Sequence, residues 1–479
     1  MPRVDLLVYD VGSTYTKVSA FMKEGAGYKM VGHSQAPTTV ENIESGLTNA
    51  CHNLAVELQW NKVEASYTLA TSSAAGGLRM VAMGYMPRVT AKAAKEVAMN
   101  AGARVLEIIS HETPLDFRLE VLQEIKPDII LLAGGTDGGD QDSLLENAEV
   151  IVSSKTKGVV IIAGNIQAQP AVEEILIRGR IANKRVPNVM PTIHELNVKP
   201  AREAIHQEFI RQITRAKGLE KLIETVSNGQ VIPTPGAVLM GTELIAQGTH
   251  GKAGYGNVVV IDIGGATTDI HSVLPDFANL SNEEKGLVIS NEKQLSYRTV
   301  EGNLGLRVSA TGIVETVGTN EVLAKVGLAG QELADELLNY VQYLEKNPAH
   351  ISRDKQEIIF DHALAISAIE IALKRHAGYI AQSFDPVLGI MPGTPVGRDL
   401  RKVERVIAVG GIFVHTSKED SMKILEKSLE NRGISLLPEK PEFIVDRYYQ
   451  LYTVGAMSEV FSDQALDLAE KYILEGNNE

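Results

Sequence analysis

Val259-Val260-Ile261-Asp262-Ile263-Gly264-Gly265-Ala266-Thr267-Thr268-Asp269-Ile270 is the stretch whose reading decides the fold. The run from Val258 to Ile261 is apolar and largely β-branched, as a strand buried on both faces requires. Gly264 and Gly265 follow at once, and glycine tolerates both positive φ and a close approach of backbone to a ligand. The return towards Ile270 predicts a second strand folded back beside the first. A hairpin tip of this kind offers backbone N–H groups to an anion, so the stretch reads as a phosphate loop. Asp262, at the strand's end, is the residue to hold a Mg²⁺-bound water or to orient an attacking one.

The same design opens the chain. Asp5-Leu6-Leu7-Val8-Tyr9-Asp10-Val11-Gly12-Ser13-Thr14-Tyr15-Thr16-Lys17-Val18 is again an apolar strand, an aspartate, a glycine, hydroxyls and a return strand, now with a lysine. One Asp-x-Gly hairpin is an ordinary tight turn. Two, each followed by Ser or Thr, point to two related halves.

These two stretches resemble the phosphate motifs of the actin, Hsp70 and sugar-kinase superfamily. Val406-Ile407-Ala408-Val409-Gly410-Gly411-Ile412 is similar to its third motif, an apolar strand ending in a glycine pair beside the adenosine. The three occur in the right order and span the chain. Within the superfamily, the opening sequence, Leu131-Leu132-Ala133-Gly134-Gly135-Thr136-Asp137-Gly138-Gly139, Ile162-Ala163-Gly164-Asn165 and Val300-Glu301-Gly302-Asn303-Leu304-Gly305 are similar to the GlmL or MutL family. Its members are accessory proteins of adenosylcobalamin-dependent glutamate (methylaspartate) mutase, unrelated to the mismatch-repair protein of the same name.

The resemblance implies an α/β fold of two actin-like, ribonuclease H-like ATPase domains, with a nucleotide cleft between them and a helical insertion in the second. The expected domains are 1–247 and 257–479, joined by the glycine-rich linker 248–256, with the insertion at about 310–381. It implies ATP or ADP with Mg²⁺ as cofactors. Asp10 and Asp262 are carried over as the catalytic aspartates that hold Mg²⁺ through water. Gly12, Ser13, Thr14 and Lys17, with Gly264, Gly265, Ala266 and Thr267, contact phosphate, and Gly410 and Gly411 pass the adenosine. Lys17 sits on a strand whose side chains alternate, so it faces either the phosphates or solvent.

Composition bounds the partners. A chain of 479 residues exceeds one ordinary core and predicts two or more domains. Lys+Arg 46 against Asp+Glu 60 gives −14, which argues against a nucleic-acid backbone or an anionic membrane as main partner. Cys51 is the single cysteine, so an intramolecular disulfide is excluded, as is a cysteine-built zinc site unless other chains contribute to it. The same lone thiol argues against the iron–sulfur cluster carried by related dehydratase activators. No apolar run approaches the ~20 residues of a membrane span and no signal segment opens the chain, so a cytoplasmic location is expected. Cys51 and Trp60 both read as packing residues.

In chain order, residues 4–34 read as three short strands with a turn at Gly25-Ala26-Gly27, followed by a helix at 41–58 and a strand at 67–70. Thr71 to Gly77 faces either a cleft floor or a close strand–helix contact. Helix 90–101, strand 104–109, helix 114–125, strand 128–133, helix 142–150, strand 158–163 and helix 168–178 then predict a parallel sheet with right-handed crossovers. Ligands in such sheets collect beyond the carboxyl ends of the strands, where Asp137 either meets one or caps a turn. A further helix should start near Pro200 and run to about 216. His194-Glu195 lacks the second histidine of His-Glu-x-x-His, which leaves no metalloprotease site.

Thr234-Pro235-Gly236-Ala237 and Thr453-Val454-Gly455-Ala456 begin a matched pair of Gly-Ala helices. In the superfamily such helices cross beneath the cleft. Leu333, Leu337, Val341 and Leu344 mark one helix of the insertion and Ile358, Ile366, Ile369 and Leu373 a longer one at about 354–381, with a Pro- and Gly-rich loop from Pro386 to Arg401. Tyr297 to Asn303 reads as a loop whose Arg298 and Glu301 are either ligand contacts or solvated charges.

Neither the P-loop, the dinucleotide fingerprint nor the hydrolase elbow occurs. Three functions fit the motifs. The first is an ATP-hydrolysing, chaperone-like reactivating factor that works on adenosylcobalamin-dependent mutase subunits. The second is a small-molecule kinase, and the third an actin-like polymer subunit. The accessory reading leads, because the catalytic aspartate loop of sugar kinases has no recognisable equivalent here.

Overall fold

The computed structural model describes residues 3–12, 14–38, 43–73, 79–85, 104–192, 197–213, 223–224, 226–227, 231–275, 295–384 and 390–475. Ser13, the expected helix 90–101 and His194-Glu195 lie outside the described residues. The chain divides into two compact units, Met1–Ala74 with Lys221–Glu479, and Ala75–Glu220.

The first unit begins with β1 (Arg3–Val11), β2 (Tyr15–Glu24), β3 (Gly27–Pro37), α1 (Ile43–Glu57) and β4 (Glu64–Ser72). The second comprises β5 (Arg79–Gly84), β6 (Arg104–Ser110), α2 (Leu115–Ile125), β7 (Ile129–Leu132), α3 (Asp142–Ser154), β8 (Val159–Ile162), α4 (Gln169–Arg178), β9 (Asn183–Arg185) and α5 (Lys199–Ile213). The first unit then resumes with β10 (Val231–Pro233), α6 (Thr234–Gln247), β11 (Val258–Ile263), β12 (Thr268–Val273) and β13 (Ser296–Glu301). The helices α7 (Ala310–Val317), α8 (Thr319–Ala324), α9 (Gln331–Lys346) and α10 (Lys355–His376) form the expected insertion. β14 (Tyr379–Ile380), β15 (Pro395–Val396), β16 (Arg405–Val409), α11 (Gly411–His415), α12 (Lys418–Glu430), β17 (Glu442–Val445), α13 (Leu451–Ser458) and α14 (Ser462–Ala469) complete it.

The duplication is written in the sheets of the first unit. One has the order β10-β4-β1-β2-β3 and the other β13-β12-β11-β16-β17. Each holds an antiparallel meander of three strands, extended on its first strand by two parallel neighbours. That is the paired ribonuclease H-like arrangement implied by the sequence motifs. β11 is buried on both faces, as its apolar run requires. Val259, Ile261 and Ile263 pack with α7, α9 and α10, while Val258 and Val260 join Leu6 and Val8 of the first sheet in a core built around α6 and α13.

The two Gly-Ala helices meet inside that second core. A Cβ on Gly455 would lie 1.7 Å from the Ala237 carbonyl oxygen, and one on Gly241 would lie 2.7 Å from that of Leu451. The glycines are therefore what lets the backbones touch. Gly248 to Gly256 folds as a tight turn inside the first unit, with Thr249 N–H donating to Lys252 O at 2.8 Å.

The second unit is a parallel sheet of order β6-β5-β7-β8-β9, as the β/α rhythm predicts. β5 went unread because Arg79 to Gly84 is a short run with two methionines and one β-branched residue, a weak strand signal. Asp137 takes the turn-capping alternative, accepting from Ile166 N–H at 3.0 Å and the Asn188 amide at 2.8 Å. Tyr297 to Glu301 is no loop but the strand β13. Its buried Arg298 hid the alternation, because a charged residue on the covered face breaks the polar-out pattern.

Candidate functional site

Two hairpins of the same build line one cleft of about 360 Å³ in the first unit. In the first, Gly12 N–H donates to Tyr15 O at 3.0 Å, and Asp10 stands directly opposite Lys17. In the second, Gly264 N–H donates to Thr267 O at 2.9 Å, and Asp262 stands opposite Asp269. Directly opposed residues of an antiparallel pair share a face, so Lys17 faces the cleft with Asp10. The glycine amides close the turns themselves, contrary to their expected service as phosphate donors. Among the described residues, the next three amides of the second hairpin, Gly265, Ala266 and Thr267, donate to no protein acceptor. That leaves three backbone donors at the hairpin tip beside the cleft lining.

Asp10 is buried and fully engaged. Thr71 Oγ1 and Thr234 Oγ1 donate to its Oδ1 at 2.8 and 2.7 Å, and Lys17 Nζ donates to its Oδ2 at 3.1 Å. Lys17 also lies 3.8 Å from the centroid of the Tyr449 ring. Burial works to lower the Lys17 pKa, yet Asp10, Tyr452 and Asp262 more than offset it and raise it. Asp262 differs. Burial and the neighbouring Asp269 push its carboxyl up to about 7, with Lys17 and Arg298 opposing and Asp10 adding to the rise.

Thr14, Lys17, Gly264, Gly265, Ala266 and Thr267 line the cleft with the two aspartates, as do Gly12 and Gly411. Gly410 does not. Its φ of 146° and a would-be Cβ 2.3 Å from Ile263 O show a backbone contact that only glycine permits. Ser73 lines the cleft, while Ala74 to Gly77 of the small-residue stretch lie outside the described residues.

Several cleft residues escaped the sequence reading. Arg307 N–H donates to Gly265 O at 2.9 Å, and its guanidinium pairs with Asp361 of α10 at 2.9 Å. Its signal was adjacency to the Glu301-Gly302-Asn303-Leu304-Gly305 motif. Beyond Gly411 the wall is Ile351, Ile358, His362, Ile412, His415 and Asp420. Burial lowers both imidazole pKa values, for His415 with help from Arg307, so this part of the lining offers neutral rings and apolar side chains beside the Asp420 carboxylate. Arg298 and Glu301 are neither solvated nor free for a ligand: Arg298 is 4% exposed and paired with Asp269, and Glu301 accepts from Arg375 at 2.5 Å.

Behind the first hairpin, Ser19 Oγ lies 2.9 Å from His33 Nδ1 and 3.3 Å from Tyr452 Oη of α13. Burial, then the Lys17 charge, hold the His33 imidazole down at about 4. Between pH 6.5 and 4 the unfolded chain binds a proton there that the folded chain refuses, so stability is full above 6.5 and falls on acidification. His33→Gln should therefore lose less stability than the parent between pH 7 and 4.5, by about 2 kcal/mol, in denaturant titrations.

Among the described residues no helix is long and apolar enough to cross a membrane. A solved gluconate kinase from Lactobacillus acidophilus overlays with a TM-score of 0.33 at 11% identity, covering 97% of this chain and 90% of that one. For the ADP-bound glycerol kinase of Plasmodium falciparum the values are 0.34, 8%, 98% and 92%. Overlaps that slight say nothing about chemistry. Sequence is more informative: "Protein MutL" of Clostridium tetanomorphum is 36% identical over 474 residues, 98% of this chain and 99% of its own. A family model described as MutL protein matches residues 6–473, and the chain thus belongs to the MutL protein family.

Proposed function

We propose that the cleft binds ATP or ADP with Mg²⁺, and that hydrolysis drives an accessory, reactivating action on the subunits of an adenosylcobalamin-dependent mutase such as glutamate mutase. The observation that carries the nucleotide reading is the run of three amides, Gly265 to Thr267, without protein acceptors, set across one cleft from Asp10 and Lys17. Phosphoryl transfer asks mainly for positioning and charge neutralisation, which such a set supplies. Gly265, Ala266 and Thr267 would hold phosphate oxygens, Lys17 a bridging charge, and the apolar wall around Ile358 and Ile412 the base.

The donor set fits Mg²⁺. Asp10 and Asp262 both line the cleft, and an ion that keeps most of its waters asks for only one or two carboxylates. A carboxyl raised to about 7 beside a second carboxylate is also a place where a cation relieves repulsion. Asp10 and Asp262 would hold it through water, and when bound it would neutralise phosphate charge. Asp262 then remains to orient a water towards the terminal phosphate.

The mutase role rests on membership of the MutL family. The halves 1–247 and 257–479 would close on ATP and open on ADP about the α6–α13 crossing, and only different affinities of nucleotide for the two forms can drive such a shift. A cytoplasmic location accords with the acidic surface and single cysteine.

Titration calorimetry should give micromolar or tighter ADP and ATP binding that weakens without Mg²⁺. A folded protein that binds no adenine nucleotide overturns the reading. For the partner, a cobalamin-dependent glutamate mutase inactivated by turnover should recover with this protein, fresh adenosylcobalamin and ATP, and should not recover with a non-hydrolysable analogue. Equal recovery without the protein defeats reactivation, and ATP-dependent phosphorylation of a sugar or acid would move the function to a kinase.

A further inference from the structure

The two hairpins match position for position, with one inversion of charge. Where the first places Lys17 opposite its aspartate, the second places Asp269. Two carboxylates thus share one face of the second hairpin, and the cation that pairs with Asp269 comes from a third strand. Arg298 of β13 donates from Nε to Asp269 Oδ1 at 2.9 Å and from Nη2 to the same oxygen. The other oxygen, Oδ2, accepts from Thr267 Oγ1 at 2.8 Å. Thr267 ends the acceptor-free amide run, and its carbonyl closes the turn with Gly264.

Both members of the pair are buried, Arg298 at 4% and Asp269 at 4% exposure. Burying an ion pair gains little stability over a hydrophobic one, because desolvation consumes most of the attraction. What it can supply is position. Next to it His271, cross-strand partner of Arg298, is fully buried and among the described residues neither of its ring nitrogens is hydrogen-bonded, so it takes no share of the Asp269 carboxylate. The carboxylate is left to bridge the guanidinium and the tip.

We propose that Arg298 is a positioning residue that acts through Asp269 and Thr267 to fix the tip of the second hairpin, so that of the two hairpin carboxylates lining the cleft Asp269 is held in an ion pair and Asp262 is left to act. This rests on reading that tip as the phosphate loop, but its first test needs no nucleotide. In ligand-free protein, exchange of the amides that hold the tip, Gly264 to Thr267 O, Leu306 to Gly264 O, and Arg307 and Val308 to Gly265 O, should rise at least tenfold in Arg298→Met, with exchange in β16 unchanged. Arg298→Lys should restore part of the protection. Thr267→Val, which removes only the hydroxyl, should raise tip exchange as well, and it decides the matter if Arg298→Met does not fold. In nucleotide assays Arg298→Met should raise KM for ATP tenfold or more and lower kcat less, with no further loss when combined with Asp269→Asn. Unchanged tip exchange in folded Arg298→Met or in Thr267→Val overturns the inference, as does a uniform rise across the sheet. A parent protein that binds no nucleotide but shows the localised rise would defeat the phosphate reading alone.

Discussion

Gly455→Ala is expected to destabilise the first unit by on the order of 3 kcal/mol or more, and Gly455→Leu to abolish soluble folding. The added Cβ would stand 1.7 Å from the Ala237 carbonyl oxygen and 2.5 Å from its carbon, both backbone atoms of α6 that cannot rotate away. Relief requires the two helices to part, which strips van der Waals contact from a core that joins both sheets. Gly236→Ala supplies the control. It lies in the same helix α6, and its Cβ would meet only Pro233 and Ile232 side-chain atoms at 3.8 Å and beyond. There the helical gain of alanine over glycine, up to ~1 kcal/mol, should show undiminished. Calorimetry should therefore find a melting temperature roughly 5–10 °C lower for Gly455→Ala and unchanged or higher for Gly236→Ala. Equal shifts in the two variants would mean that the crossing tolerates a methyl group and is not the tight pivot described.

Gly455 was legible in the sequence, although the tight glycine of α6 is Gly241 and not Gly236 of its Gly-Ala start, and most of the first unit was legible too, for one reason. Strand, aspartate, glycine and hydroxyl stand next to one another in the chain, so a hairpin announces itself locally. What stayed hidden depends on distance. Thr71 and Thr234 reach Asp10 from 61 and 224 residues away, and nothing in a threonine's neighbours says which carboxylate it will meet. Arg298 gave the wrong signal outright, because a charged residue reads as exposed until its partner is known. The direction of Lys17 became decidable only with the register, once Asp10 was seen to face it. Gly410 shows the reverse case. The motif pointed to a ligand contact, while the backbone shows a glycine needed to pass Ile263 O.

Asp10→Asn and Asp262→Asn should each lower Mg²⁺-dependent ATP hydrolysis by on the order of 10²–10³, while moving stability in opposite directions. Asp10 is a structural acceptor as well as a charge. Its loss leaves the Lys17 ammonium, only 13% exposed in its side chain, without its hydrogen-bonded counter-ion. Breaking a buried pair on one side costs on the order of 3 kcal/mol, so Asp10→Asn should melt earlier than the parent. Asp262 is held in its charged form at a cost, since burial and Asp269 lift its carboxyl to about 7. With a folded pKa above the unfolded value near 3.9, the folded state binds the extra proton between those limits. Stability from this group is then complete below pH 4 and lost as pH rises through 7. Asparagine removes that loss. At pH 8 Asp262→Asn should be more stable than the parent by on the order of 2 kcal/mol, and at pH 4 the two should coincide. A carboxylate kept where it weakens the ligand-free fold is the pattern of a functional group rather than a packing one. Melting curves at pH 4 and 8, set beside ATPase rates, separate the roles. If Asp262→Asn kept parental hydrolysis, or were destabilised at pH 8 like Asp10→Asn, Asp262 would be a structural residue and the reacting water would have to be oriented by another group.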